Sequence, residues 1–273
     1  MTAHAPVALV TGGSRGIGRA AALALGRSGH SVVIGYKRDL AAACEVQGLL
    51  SQMDARSMVA RIDLEEASDI TSTLRAVGDE FGRLDVLVAN AAATVPKPIL
   101  SLGQHHLSRT MAVTVNAFVQ LVQESVPLME GRAGSIIAIS GIDTQRATSN
   151  HGLLGAAKAA LEALVRSLAV ELAPLDIAVN AVAPGPVDTD SSRHYAGSRW
   201  LEMEREWIER TPAGRVGTPE DIGRVIDFLA SPASRWIRGQ VIVADGGFTL
   251  VTEPVERFIG IAGVSGPSKG GLE

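Results

Sequence analysis

Cysteine is nearly absent: Cys44 is the single one in 273 residues, so an internal disulfide is excluded. Long lysine- or arginine-rich runs are missing too, and the formal charge is -4. Both argue against nucleic acid or an anionic membrane as the main partner and leave small molecules. No uninterrupted apolar stretch reaches the ~18 residues of a membrane span. The opening residues MTAHAPVALV lack the basic region and apolar stretch of a secretory signal, so a cytoplasmic location is expected. Nothing in the pattern calls for a metal.

What the chain does have is apolar sequence in short pieces. Hydrophobic residues make up 46%, enough to bury one substantial core. The runs are VALV from Val7, SVVIGY from Ser31, SMVARID from Ser57, LDVLVAN from Leu84, SIIAIS from Ser135, IAVNAVA from Ile177 and QVIVAD from Gln240. Helix-length segments separate them, among them Ile17 to Ser28, Asp39 to Met53, Ala67 to Phe81 and His105 to Val126. Strand and helix alternate, and the strands are apolar on both sides. The pattern predicts an α/β single-domain Rossmann fold: a seven-stranded parallel sheet with helices on both faces.

That domain is expected over residues 1–250. Between the sixth strand and TPED, about thirty residues intervene, too many for an ordinary connection, and a lid is expected at about 188–214. TPED itself reads as a helix start, with Thr218 capping and Pro219 in the first turn. Residues 251–273 lose the period, and a tail that is partly disordered or ordered by a neighbouring subunit is expected.

Directly after the first strand comes TGGSRGIG, Thr11 to Gly18, followed by an alanine-rich helix. Gly12, Gly16 and Gly18 let backbone turn tightly and approach a pyrophosphate at the helix N-terminus. An acidic residue closing the second strand would bind the ribose hydroxyls of NAD. This chain instead has Tyr36-Lys37-Arg38 before Asp39. Lys37 and Arg38, with Arg15 of the loop, suit a 2′-phosphate, so NADPH is the expected cofactor ahead of NADH. A solvated basic turn is the plainer alternative.

From Val7 to about Leu250 the chain resembles the short-chain dehydrogenase/reductase family. TGGSRGIG matches the family's glycine loop, so that Gly12, Ser14, Arg15, Gly16, Ile17 and Gly18 are implied to hold the cofactor. Asp63-Leu64 matches the pair that touches the adenine, and Asn90-Ala91-Ala92 looks like the NAG motif. Asn116 falls where the family keeps a catalytic asparagine. Pro184-Gly185, on through Val187 to Thr189, matches the loop over the nicotinamide. Asp245-Gly246-Gly247 ends the last strand in the family's way.

Two catalytic positions depart from the pattern. The usual serine is Gly141, with Ser140 adjacent, and the tyrosine four residues before Lys158 is Leu154. The short-chain-type enoyl-acyl carrier protein reductases, and the related cyclohexenylcarbonyl-CoA reductases, place their tyrosine seven residues before the lysine. Here that position is His151. The segments GAAKAALEALVRSLAVELAP, TPAGRVGTPEDI and WIRGQVIVADGGFTLV also look like this subgroup. The resemblance implies an NADPH-dependent reduction of a double bond conjugated to a thioester, carried by acyl-CoA or an acyl carrier protein.

In that reaction negative charge develops on the thioester oxygen, and a positioned donor lowers the barrier. Lys158 is expected to hold the nicotinamide ribose and add positive field. A cation nearby opposes a second positive charge, so a neutral His151 imidazole is an expected donor. An imidazolium is the alternative, with a rate that falls through neutral pH. The plain reading of His151 is a helix opening, with Ser149 and Asn150 capping the backbone.

Tyr195 is a further candidate donor in the lid, although lid packing accounts for it and for His194 as well. His105 and His106 are read as covering a helix start, and Trp200 and Trp207, seven apart, as one helical face packing the lid or lining an apolar pocket. The helix from Gly155 to Leu172 is apolar around most of its circumference, which predicts a second partner and a homotetramer or homodimer. Two rival readings stand beside the enoyl reductase. One is a ketoreductase using another proton donor; the other is a catalytically degenerate nucleotide-binding protein.

Overall fold

The structure, a computed structural model, describes residues 5–93 and 95–252. Strands form where Val, Ile, Leu and Ala run together: β1 (Val7–Val10), β2 (Ser31–Tyr36), β3 (Ser57–Arg61), β4 (Val86–Ala89), β5 (Ser135–Ile139), β6 (Ala178–Pro184) and β7 (Val241–Ala244). Among the described residues these seven make one sheet in the order β3-β2-β1-β4-β5-β6-β7, with every pairing parallel. The seven runs read from the sequence are its seven strands.

Alternate residues of each strand face opposite layers. Leu9, Leu87, Ile136 and Val179 join Phe118 and Leu161 in one core. Val10, Val88 and Ile137 join Leu25, Leu50 and Ile226 in the other. A strand sandwiched this way has no polar side, which is why the runs are continuous rather than alternating. Only the sheet edges differ: β7 is half-buried along its length, whereas β5 and β6 are fully buried.

The helices are α1 (Gly16–Arg27), α2 (Leu40–Ser51), α3 (Ala67–Phe81), α4 (Gln104–Met111), α5 (Ala117–Met129), α6 (Gly152–Glu171), α7 (Asp190–Ala196), α8 (Trp200–Arg210) and α9 (Pro219–Ala230). Asp39 caps α2 by accepting from Ala42 N at 2.9 Å. Thr218 caps α9 as the sequence predicts, and Asp221 returns the bond to Thr218 N at 2.8 Å. None of the helices among the described residues is long and apolar enough to cross a membrane.

One expectation changes. The single helix expected over His105 to Val126 is α4 and α5 joined by a π turn, Ala112–Asn116. One widened turn inserts an extra residue and re-aims the helix beyond it, and periodicity alone does not reveal it. The segment expected as a lid is mostly helical, α7 and α8 with the 3-10 turn Gly197–Arg199 between them. Of the expected tail, residues 253–273 lie outside the described residues.

Strands β1 and β4 lie side by side although β2 and β3 separate them in sequence. The chain winds outward from β1 in one direction and then the other. The crevice at the carboxyl ends of these two strands is where such sheets take their ligands.

Candidate active site

The crevice is built by the residue that follows β1. Thr11 Oγ1 donates to Val88 O at 3.3 Å and accepts from Asn90 N at 3.0 Å and Ala91 N at 3.2 Å. The Asn90 amide donates to Thr11 O at 2.9 Å and to Gly12 O at 3.3 Å. Asn90, expected to touch cofactor, thus spends its side-chain donors on holding the glycine loop in shape. Gly12 has φ of 62°, and any Cβ on Gly18 would overlap the Gly12 carbonyl. No larger residue fits either place.

Arg15 is the N-cap of α1 but offers no side-chain cap, and the first turn carries no acid. The free N–H groups of that turn are left for an anion. The loop opens on a cleft of about 650 Å³ lined by Ser14, Arg15, Gly16, Asp39, Thr189 and neighbours from α2. Ile17 packs against the core below. These residues fit a dinucleotide pyrophosphate: an uncapped helix start and a backbone cradle that a Cβ would fill.

The cations at the end of β2 are not equally free. Arg15 pairs with Asp39. Lys37 pairs with Asp63 at 2.8 Å and with Glu65, and Arg109 of α4 reaches Glu65 at 3.1 Å. The backbone N–H of Ala42 and the Arg15 guanidinium hold the Asp39 carboxyl below its ordinary value. Arg38 is exposed, with no ion-pair partner among the described residues. Leu64 is buried beside them.

From the other side comes the exit of β6. Pro184 ends the strand, and a Cβ on Gly185 would sit 2.7 Å from Asp245 Cα, so only glycine lets this turn pass the end of β7. Val187 is buried and pairs with Gly217 in an isolated parallel bridge. Thr189 caps α7, accepting from Ser192 N at 3.1 Å. A Cβ on Gly16 would lie 3.4 Å from Thr189 Cγ2, which places the root of α7 against the glycine loop.

Lys158 lies inside α6, buried, and its ammonium donates to the Ile139 carbonyl at the end of β5. Burial pushes the ammonium down to about 8, with the Asp143 charge acting the other way. His151 is the N-cap of α6, but its ring makes no capping bond. The Ser149 and Asn150 caps are not formed either: α6 has no side-chain cap, and Asn150 takes a left-handed φ of 64° that turns the chain into the helix. The His151 ring instead lies with Nδ1 3.3 Å from Asp143 Oδ2. The Tyr195 ring of α7 meets it edge-on, centroids 5.7 Å apart. Burial pushes the Tyr195 phenol up, which keeps it protonated.

Asn116 is the last residue of the π turn, which packs on α6; its amide is exposed, with no hydrogen-bond partner among the described residues. Ser140 does not replace the serine missing at Gly141, because its hydroxyl donates to Glu162 at 2.6 Å. His106 accepts from Gly103 N at 3.1 Å, covering the start of α4. His194 lies 6.2 Å from the Tyr195 ring, and Trp200 and Trp207 pack edge-to-face at 5.8 Å with Arg193 over Trp200.

Asp143 and Glu162 are the residues that sequence reasoning misses. Glu162 stands four after Lys158, the spacing of a helical ion pair, yet the lysine turns to Ile139 and the glutamate to Ser140 and Thr144. Asp143 reaches the site because Gly155 has no side chain: a Cβ there would stand 2.7 Å from the Asp143 carbonyl. An acid eight residues before His151 carries no signal until that close approach is seen.

The loop bearing both residues is braced from the far end of the chain. Arg146 donates to the carbonyls of Thr249 and, at 3.0 Å, Val251.

A family model described as Enoyl-(Acyl carrier protein) reductase matches residues 12–249. A 1-cyclohexenylcarbonyl-CoA reductase of Streptomyces collinus is 38% identical over 91% of this chain and 88% of that protein. A hydroxynaphthalene reductase-like protein Arp2 of Metarhizium brunneum is 35% identical over 88% of this chain and 94% of its own length. Among solved structures, acetoin dehydrogenase YohF from Salmonella typhimurium superposes with a TM-score of 0.81 at 28% identity, covering 90% of this chain and 97% of that one.

Proposed function

The chain belongs to the short-chain dehydrogenase/reductase family, an oxidoreductase that takes a nicotinamide cofactor, and we propose that it uses NADPH to reduce the double bond of an enoyl thioester. The observation that carries this reading is the His151 ring, set between Asp143 and Tyr195 at the head of the helix that buries Lys158. The name of the Streptomyces collinus relative, a reductase of a conjugated acyl-CoA, supports the same class of substrate.

Bound, the cofactor supplies hydride to the β carbon. The chain must then steady the charge that collects on the thioester oxygen, and the α carbon must gain a proton. His151 is the donor to that oxygen, and a hydrogen bond here does not require full proton transfer. Water completes the α carbon. Lys158 adds positive field from behind and holds the ribose; Asn116, whose amide has no partner among the described residues, supports it from the π turn. Gly12, Ser14, Arg15, Gly16, Ile17 and Gly18 hold the pyrophosphate, with Asp63, Leu64, Pro184, Gly185, Val187 and Thr189 around the two rings. Arg38, with no ion-pair partner among the described residues, and Arg15 and Lys37, in exchangeable surface pairs, favour a 2′-phosphate. Residues 188–214 close over the substrate as a lid on the single domain. Val170, 75% exposed on α6, supports a homotetramer or homodimer, which light scattering tests.

A second reading is favoured by one contact. Tyr195 touches His151 and stays protonated, and a phenol there suits a ketone substrate, whose alkoxide must receive a proton. NADPH oxidation on matched enoyl-CoA and ketone substrates separates the two. Enoyl turnover lost in His151→Phe and kept in Tyr195→Phe is expected. Ketone turnover lost only in Tyr195→Phe transfers the role to the phenol.

A further inference from the structure

Asp143 has no part in any role argued so far, yet the fold goes to some length to place it. It sits in the 3-10 turn Ile142–Thr144, pressed on the first turn of α6 where Gly155 leaves room. Thr144 pins that turn by donating to Gly141 O at 3.1 Å and Glu162 at 3.0 Å. The Asp143 side chain is mostly buried, and its Oδ2 faces His151 Nδ1 at 3.3 Å. We propose that Asp143 is a positioning residue for His151: it fixes the ring with its hydrogen on Nδ1 and leaves Nε2 as the nitrogen that serves the substrate. The inference rests on the reading of His151 as the donor.

The argument is one of donors and acceptors. Burial alone would raise the Asp143 carboxyl, but hydrogen bonds from His151 and Thr148, with the Lys158 charge, outweigh it and hold it below its ordinary value. An ionised carboxylate only accepts, so the hydrogen between the two groups belongs to Nδ1. A neutral ring then has a bare lone pair at Nε2, which repels a developing oxyanion. On this proposal the neutral donor expected from the sequence gives way to a charged one. Donation from Nε2 needs a second proton, and the active form is an imidazolium beside a carboxylate.

The titratable groups that face the ring are Asp143 at 3.3 Å, Lys158 on the same helix and the Tyr195 phenol, with His194 beyond Tyr195. During turnover the Nε2 proton is shared with the thioester oxygen and kept. Hydride brings two electrons and one hydrogen to the β carbon, water supplies the proton for the α carbon, and the ring ends as it began.

The test uses the full chain with 15N-labelled histidine. Two-bond correlations between the ring nitrogens and the carbon-bound ring hydrogens report the His151 tautomer, the signal being assigned by its loss in His151→Phe. In the unsubstituted chain the neutral ring should carry its hydrogen on Nδ1. Asp143→Asn should populate the Nε2–H form, lower kcat on an enoyl-CoA by about 100-fold or more, move the alkaline limb of the kcat profile to lower pH, and leave the KM for NADPH unchanged. Asp143→Glu should restore the Nδ1 tautomer and part of the rate.

An Asp143→Asn protein with the original tautomer and pH profile overturns the proposal. If His151→Phe is inactive while Asp143→Asn behaves as the unsubstituted chain, His151 remains the donor and only Asp143 loses its role. If His151→Phe still turns over, the donor reading falls, and Asp143 is no longer a positioning residue for the reaction whatever the tautomer shows.

Discussion

At the end of β2, Arg15 and Lys37 face solvent and are already paired with Asp39, Asp63 and Glu65. At the end of β5, Lys158 is buried, and its hydrogen-bond partner is a neutral carbonyl, that of Ile139. Exposed pairs exchange partners at little cost, because water and counter-ions replace what is lost. A buried ammonium has no such replacement. A shift from 10.5 to about 8 is a charging cost on the order of 3 kcal/mol. The end at β2 can therefore adapt to a ligand, whereas the end built around Lys158 holds a charge against its own stability and gains from any anion that arrives.

The contrast breaks most sharply at Lys158. Lys158→Met should lower kcat by about 10²–10³-fold, as loss of a preorganised donor does, while raising stability by about 1–3 kcal/mol, read from the urea midpoint. The pH dependence has a definite sign. Between the folded value of about 8 and the unfolded 10.5, the unfolded chain holds a proton that the folded chain has released. The unliganded protein should therefore gain stability as pH rises through that window, and the methionine variant should lack the gain. A variant that is less stable and shows the same slope contradicts the account.

Next in size is Gly155→Ala. Its Cβ would stand 2.7 Å from the Asp143 carbonyl, so the 142–144 turn must move. A loss of about 1–3 kcal/mol in thermal or urea unfolding is expected, with a fall in kcat and an unchanged KM for cofactor. The smallest effect belongs to the adaptable end. Arg38→Ala should reduce the preference for NADPH over NADH by about tenfold, one charged contact's worth, without altering kcat on saturating NADPH. A preference that survives it places the discrimination on Arg15 or Lys37.

The same contrast decides what the sequence reveals. The nucleotide end is legible because its work is done by backbone: glycines in TGGSRGIG stand where φ is positive, as at Gly12 and Gly16, or where a Cβ would clash, as at Gly18, and their spacing is the signal. The strands are equally plain, since two-sided burial leaves runs that are apolar toward both layers, with Ser135 and Asn180 as isolated polar residues. The π turn is silent, because one extra residue in a helix of mixed polarity leaves the period nearly intact. The donor end is half legible. The family resemblance points to His151 as the proposed donor, but Asp143 is found only in three dimensions, through the gap left by Gly155.

Arg146, tied to the carbonyls of Thr249 and Val251, gives the last strand's exit a mechanical office. It grips the loop between β5 and α6 midway between Asp143 and His151, so Thr249 and Val251 brace the turn that leads to the proposed donor. A chain cut after Phe248 would keep every residue named in the pocket and still release that brace. Under the proposed function, losing that brace should surface as a change in proton donation rather than in cofactor binding.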